Sequence, residues 1–225
     1  TQGQQNIRVT VAVKNSYPAQ TATVNSLNLI YSLGSYTTLL DSPVLPTSIA
    51  PGASKEFVFL VSVKSDSPVG TATIDANVSS LIDGLDFSDD GADRKHTWLI
   101  KSAAAIDIES VSTIPLTVNK GQTVKVGLRF RNKGGTPYIL DSAELNFSLG
   151  NYTQILESPA LGTIVEPGQT VAGTFSVKVE ENSPSGIAII DASIEGRNKL
   201  SDLLVGATGA AFNDSWTVQN PAKLV

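Results

Sequence analysis

Cysteine is absent from the 225 residues, which excludes disulfides and thiolate metal sites. Methionine is absent too, even at position 1. A chain that opens Thr1-Gln2-Gly3 is expected to have been processed, or excised from something longer. The sequence contains a single histidine, His96, among the charges of Asp93-Arg94-Lys95-His96. With no cysteine either, a hydrolase of the nucleophile–histidine kind would depend wholly on that residue. Long apolar runs are lacking. Phe57-Val58-Phe59-Leu60-Val61 is far too short to span a bilayer, so no transmembrane segment is expected in this chain. Basic residues are outnumbered, 16 Lys and Arg against 21 Asp and Glu, for a net charge of −5. No basic cluster interrupts that balance, so nucleic acid and anionic membranes are not expected partners. Helical periodicity is missing as well, with no stretch beyond about two turns that keeps it.

What the chain does have is a repeat. Ser32-Leu33-Gly34-Ser35-Tyr36-Thr37 returns as Ser148-Leu149-Gly150-Asn151-Tyr152-Thr153, an offset of 116 residues (148 − 32). Ser42-Pro43 matches Ser158-Pro159, and Pro51-Gly52 matches Pro167-Gly168. Further along, Ser67-Pro68-Val69-Gly70 matches Ser183-Pro184-Ser185-Gly186, and Asp75-Ala76 matches Asp191-Ala192. At the ends the offset drifts, pairing Asn15 with Asn132 and Trp98 with Trp216. A period this long indicates two copies of a whole domain rather than a solenoid. Modules in series commonly bind, space or build.

Both copies read as short strands. Ile7-Arg8-Val9-Thr10-Val11-Ala12-Val13-Lys14 alternates strictly, as does Val124-Lys125-Val126-Gly127-Leu128-Arg129-Phe130-Arg131. Turn signals follow each, and Pro-Gly pairs precede the strong strands at 57–64 and 171–179. The expected fold is all-β: two tandem immunoglobulin-like β-sandwich domains related by internal duplication, residues 1–101 and 102–225. The copies differ at their starts. Copy two opens with Ile106-Asp107-Ile108-Glu109-Ser110-Val111, an extra first strand. Copy one has only residues 1–5 in that place. It is expected to lack the strand, and an open sheet edge invites another chain.

The order of these features resembles the immunoglobulin-like CARDB (cell-adhesion-related) modules of bacterial and archaeal surface proteins. The features are Ile-Asp-Ile-Glu-Ser-Val-Ser from Ile106, Asn119-Lys120-Gly121-Gln122-Thr123-Val124, a strand ending in Asn-x-Gly at Asn132, then Pro-Gly and Ser-Pro-x-Gly. Copy two carries the pattern from Ile106 to Ser193. Copy one lacks the opening strand and the glycine of Asn-x-Gly. The resemblance implies an extracellular spacer or adhesive unit with no shared catalytic residues.

The residues carry little chemistry of their own. No glycine-rich phosphate loop and no zinc spacing occurs. The repeated acids Asp75 and Asp191 are the obvious glycosidase pair. Strand phase turns each to an outer face, beside an expected cross-strand polar partner, so catalysis is not expected of them. The densest signal is residues 83–93, where Asp83, Asp86, Asp89, Asp90 and Asp93 stand among glycines. Hard oxygen ligands on a flexible loop suit Ca²⁺, which makes these five the candidate metal ligands. A solvated acidic loop is the competing reading. Copy two replaces the middle of this loop with Leu203-Leu204-Val205-Gly206-Ala207-Thr208-Gly209, which could pack on its own sandwich or face a neighbour. Four sequons, at Asn77, Asn146, Asn151 and Asn213, are candidate glycosylation sites.

The expected function is that of a non-catalytic structural or adhesive module at the cell surface, in a fibre, S-layer or stalk. Its partners are expected to be copies of itself or neighbouring surface-protein domains, met by strand addition and with calcium. The alternative is a carbohydrate- or protein-binding accessory of an exported enzyme, with Tyr17, Tyr36, Tyr138 and Tyr152 as candidate aromatic platforms.

Overall fold

The computed structural model describes residues 1–91, 94–209 and 211–222. Among the described residues the chain is all-β, with no helix and 62% in strands. It divides into two compact units, Thr1–Ser102 and Ala103–Val225.

The first unit contains β1 (Ile7–Lys14), β2 (Ala22–Tyr31), β3 (Tyr36–Ser42), β4 (Thr47–Ile49), β5 (Ser54–Val63), β6 (Gly70–Ile82), β7 (Leu85–Asp89) and β8 (His96–Ile100). One sheet runs β1-β5-β3. The other runs β4-β2-β6-β7, with β8 also paired to β6. The second unit contains β9 (Ile106–Ile114), β10 (Thr117–Asn119), β11 (Thr123–Asn132), β12 (Tyr138–Phe147), β13 (Tyr152–Ser158), β14 (Ile164–Val165), β15 (Thr170–Val179), β16 (Gly186–Asn198), β17 (Leu204–Thr208) and β18 (Asp214–Gln219). Its sheets run β9-β11-β15-β13 and β14-β12-β16-β18-β10, with β17 on β16.

Strand order and register recur between the units. Val9 lies opposite Phe59 and Val126 opposite Phe175. Ile74 lies opposite His96 and Ile190 opposite Asp214. The repeated residues hold these ladders in place. Asn15 Nδ2 donates to the Gln20 and Ile49 carbonyls, as Asn132 Nδ2 donates to those of Thr136 and Val165. Both side chains are buried, and a buried amide left unpaired is costly. Ser67 Oγ and Ser183 Oγ each accept one backbone N–H and donate to the carbonyl of the same residue, Ser35 and Asn151. Trp98 Nε1 donates to Tyr36 Oη at 3.1 Å, and Trp216 Nε1 to Tyr152 Oη at 3.2 Å. Tyr31 and Phe147 stack on those tyrosines.

The long strands β6 and β16 each serve two partners in succession. β6 pairs with β8 along residues 70–74 and with β7 along residues 78–82. Asp75 sits where the partner changes, and its Oδ1 accepts the N–H of Ala76 at 2.8 Å. Asp191 does the same for Ala192 at 2.7 Å. Asp191 lies opposite Asn146, the expected cross-strand polar partner, but for Asp75 that expectation is corrected. The residue directly opposite Asp75 is Ile30, and the carboxylate instead turns back on its own strand, with Lys95 3.6 Å away.

The cores differ. In the second unit Ile108, Val118, Val126, Leu128, Phe130 and Trp216 belong to one continuous buried cluster. Burying side chains of this size contributes roughly 1.5–3 kcal/mol each. In the first unit the buried residues fall into two small clusters, one around Phe57 and Phe59 and one around Val63 and Ile100.

Candidate functional site

Beside the first of these clusters lies a cavity of about 720 Å³. Val9, Val11 and Val13 of β1 line one wall, and Leu27 and Leu29 of β2 another. Ala76 and Val78 of β6 line a third, and Arg94 and His96 stand at its rim. Tyr17 and Phe87, which also line it, meet with ring centroids 6.5 Å apart. A smaller cavity of about 160 Å³ is bounded by Ile7, Val63, Trp98 and Ile100, with Thr1 and Gln4 at its mouth.

The second unit identifies what these spaces correspond to. There β9 covers β11, with Thr113 opposite Val126, Val111 opposite Leu128 and Ile108 opposite Phe130. Its other side reaches the opposite sheet. Val111 N donates to the Phe212 carbonyl, and Thr113 donates through N and Oγ1 to Asp214 Oδ2 at 2.7 and 2.9 Å. β10 then runs parallel to β18 and buries Val118. In the first unit the described residues hold no counterpart of β9 or β10. Thr1 to Gln4 follows the hydrogen bonds of Asn119 to Gln122: Gln4 N donates to the Thr1 carbonyl as Gln122 N does to Asn119, and Gln2 N to Lys101 as Lys120 N to Gln219. The larger cavity corresponds in position to β9 of the second unit and the smaller to Val118.

The burial pattern follows from this. Val124, Val126, Leu128 and Phe130 are all buried, whereas Ile7, Val9, Val11 and Val13 are only half-buried. The wall of the cavity is also polar at one edge. Among the described residues β1 pairs only with β5. Asn15 N donates across to Ala53, so by strand alternation the N–H and C=O groups of Arg8, Thr10, Ala12 and Lys14 turn away from β5. They form an unpaired ladder beside an apolar floor.

The rims differ in charge. Asp214 closes the second unit by binding β9. Its burial raises its pKa, but donors from Ser215 N, Thr113 N and Thr113 Oγ1 outweigh this and hold it below the ordinary value. In the first unit His96 takes that position, with Arg94 two residues before it.

The residues singled out from sequence are scattered. Asp83 and Gly84 form the β6–β7 turn, both with positive φ (51° and 78°), as a two-residue hairpin of this hand requires. Asp86 and Asp89 lie on β7 three residues apart, so they leave opposite faces. Asp89 Oδ1 accepts the N–H of Gly91. Asp90 is exposed, and Asp93 lies outside the described residues. Among the described residues no group of three or more acids or histidines is gathered closely enough to hold a metal ion. Asn77, Asn146, Asn151 and Asn213 are all exposed.

The aromatic platform does not form. Tyr138 is fully buried, and Tyr36 and Tyr152 are tied into the tryptophan stacks, where burial raises their pKa values. Only Tyr17 is well exposed among the four. The apolar stretch of the second unit becomes β17, with Val205 and Ala207 against the core and Leu204 in solvent.

No family model matches the chain, so the CARDB resemblance gains no support there, and no curated protein matches it. Solved structures that align with it include a protein of unknown function from Porphyromonas gingivalis W83, at 14% identity and TM-score 0.32, covering 97% of this chain and 96% of that one. The C-terminal domain of the Streptococcus agalactiae AgI/II polypeptide BspA aligns at 10% identity and TM-score 0.29, covering 96% and 93%. The Pseudomonas aeruginosa CupB2 chaperone aligns at 10% identity and TM-score 0.24, covering 90% and 92%. Likeness at this level says nothing of function.

Proposed function

We propose that the chain is a non-catalytic structural and adhesive part of an extracellular surface protein, built of tandem immunoglobulin-like modules. Its first unit joins neighbouring surface-protein domains by strand addition. The supporting observation is the edge of β1, which no strand among the described residues covers, beside a groove of about 720 Å³. Val9, Val11 and Val13 are only half-buried along this groove, and covering them gains packing. A small apolar ligand would fill the floor and leave the ladder of β1 unpaired. An extended peptide satisfies both, with main-chain hydrogen bonds for affinity and side-chain pockets for specificity.

Amide chemical shifts of the labelled chain, titrated with extended peptides of alternating apolar sequence, test this. Saturable shifts along β1 are expected, and they are lost in Ala12→Pro, which removes one edge donor without touching the β5 ladder. Shifts confined to other strands would overturn the reading.

A further inference from the structure

Another edge of the first unit, distinct from β1, runs along β2. β4 covers only Ala22 to Val24 of it. Ser32 N donates to the Thr73 carbonyl, so Ser32 faces β6. By strand alternation Asn28 and Ile30 face β6 too, and the N–H and C=O groups of Leu27, Leu29 and Tyr31 turn away from it. Among the described residues nothing pairs with these groups.

The second unit shows how such an edge is closed. Leu145 is the counterpart of Leu29: it lies opposite Ala192 as Leu29 lies opposite Ala76. Its N–H donates to Gln154 Oε1 and its carbonyl accepts from Gln154 Nε2, both at 2.8 Å. The Gln154 amide thus stands where the peptide group of an added strand would stand. β3 carries Thr38 at that register, opposite Val61 as Gln154 is opposite Val177. The Thr38 hydroxyl meets Tyr31 Oη at 2.9 Å, and a threonine has no amide with which to satisfy both groups of Leu29. A second guard differs as well. Exposed Glu144 puts a charge beside Leu145 on β12, a common protection of sheet edges, and Asn28 takes that position on β2. Residues 26–31 carry no charge at all.

The geometry points to a second copy of this chain as the occupant. Two first units join edge to edge, β2 antiparallel to β2, about a twofold axis at Leu29. The outward groups are their own complement about that axis: Leu29 exchanges both hydrogen bonds with Leu29 of the other copy, and Leu27 pairs with Tyr31 on each side. The open length suits the fit. β4 stops at Val24, and the chain turns after β2 at Gly34, which has positive φ. Each β2 therefore fits the open stretch of the other without meeting its β4. On the outer face Asn28 of one copy comes opposite exposed Ile30 of the other, with no like charges to oppose the contact. A second copy also brings a strand that is already extended and already paired on its far side, so it escapes the ordering cost of a free peptide.

Sedimentation of the full chain over rising concentration tests this, with amide hydrogen exchange of the labelled chain followed alongside. A monomer–dimer equilibrium is expected by about 1 mM. The Leu27, Leu29 and Tyr31 amides gain protection as the dimer fills, and those of β1 do not. Thr38→Gln, which supplies the cap of the second unit, weakens association at least about tenfold. Asn28→Glu with Ile30→Glu sets like charges opposite one another and abolishes it. Asn28→Lys with Ile30→Lys does the same, and a mixture of the two double variants dimerises again, which misfolded chains would not do. A chain that stays monomeric at every concentration overturns the proposal. So does a dimer that the paired glutamates leave intact, a mixture that fails to associate, or protection that appears in β1 or β3 in place of Leu29. Extended peptides that protect the Leu29 amide of a chain that stays monomeric overturn the second copy as occupant.

Discussion

Val126 lies opposite Thr113 across the β11–β9 ladder, with Phe175 on its other side. Its counterpart Val9 has Phe59 on one side and the cavity on the other. The two valines share strand, phase and turn context, yet only Val126 is fully buried. For this pair the difference lies in the covering strand β9, which has no counterpart among the described residues of the first unit.

Truncations along these two strands should therefore have unequal costs. Phe130→Ala is expected to destabilise the second unit by about 3–5 kcal/mol, since it opens a cavity in a continuous core. Val13→Ala should cost the first unit under about 1 kcal/mol, because half its side chain already faces open space. Urea denaturation of the two variants, followed by tryptophan fluorescence, checks the ratio.

The repeated glycines should be intolerant in both units. Gly34 and Gly150 have φ near +103°, and an added Cβ would lie 2.7 Å from Tyr36 Oη or Tyr152 Oη. Either substitution by alanine combines backbone strain with displacement of the tryptophan stack, a loss of about 2 kcal/mol or more. Loss of the near-ultraviolet tryptophan signal in the affected unit is the readout.

Acid should loosen the second unit through Asp214. Its carboxylate is held below the ordinary value of 3.8 by bonds to Thr113 and Ser215. A depressed folded-state value adds stability at higher pH, and that stability is lost as the pH falls through and below 3.8. Replacing Asp214 by Asn should flatten the pH dependence of the second unit's melting in that range. The first unit, with His96 there, should not change.

Calcium is expected to leave the melting temperature where it is. Asp86 and Asp89 leave opposite faces of β7, and Asp83 is fixed in the turn. Melting in calcium and in chelator should coincide; a rise with calcium would mean that Asp93 completes a ligand set with its neighbours.

Much of the fold was legible because strand alternation and turn chemistry are local. Ile7 to Lys14 alternates in sequence and in burial alike, and Ile106 to Val111 announced the covering strand that has no counterpart among the described residues of the first unit. β10 was missed. Three residues, Thr117–Asn119, show no alternation, and only Val118 between two polar neighbours hinted at it. The fate of Tyr138 was hidden for another reason. Its ring occupies space left by Gly196, whose missing side chain admits it, while the first unit fills the same place with Ala22 and Ser80. Such exchanges run across strands about 58 residues apart (196 − 138) and leave no local trace. The site itself is a difference between two copies, so it could be suspected from the unmatched start but not shaped from it.

The most direct test restores the covering strands in cis. A chain carrying residues 103–118 a second time, immediately before Thr1, should seat them on β1 and β8. The first unit's melting transition should then rise by at least about 5 °C, β1 amides should gain hydrogen-exchange protection, and binding of extended apolar peptides along β1 should vanish. An unchanged transition, with β1 still exchanging and such peptides still bound, would contradict the account.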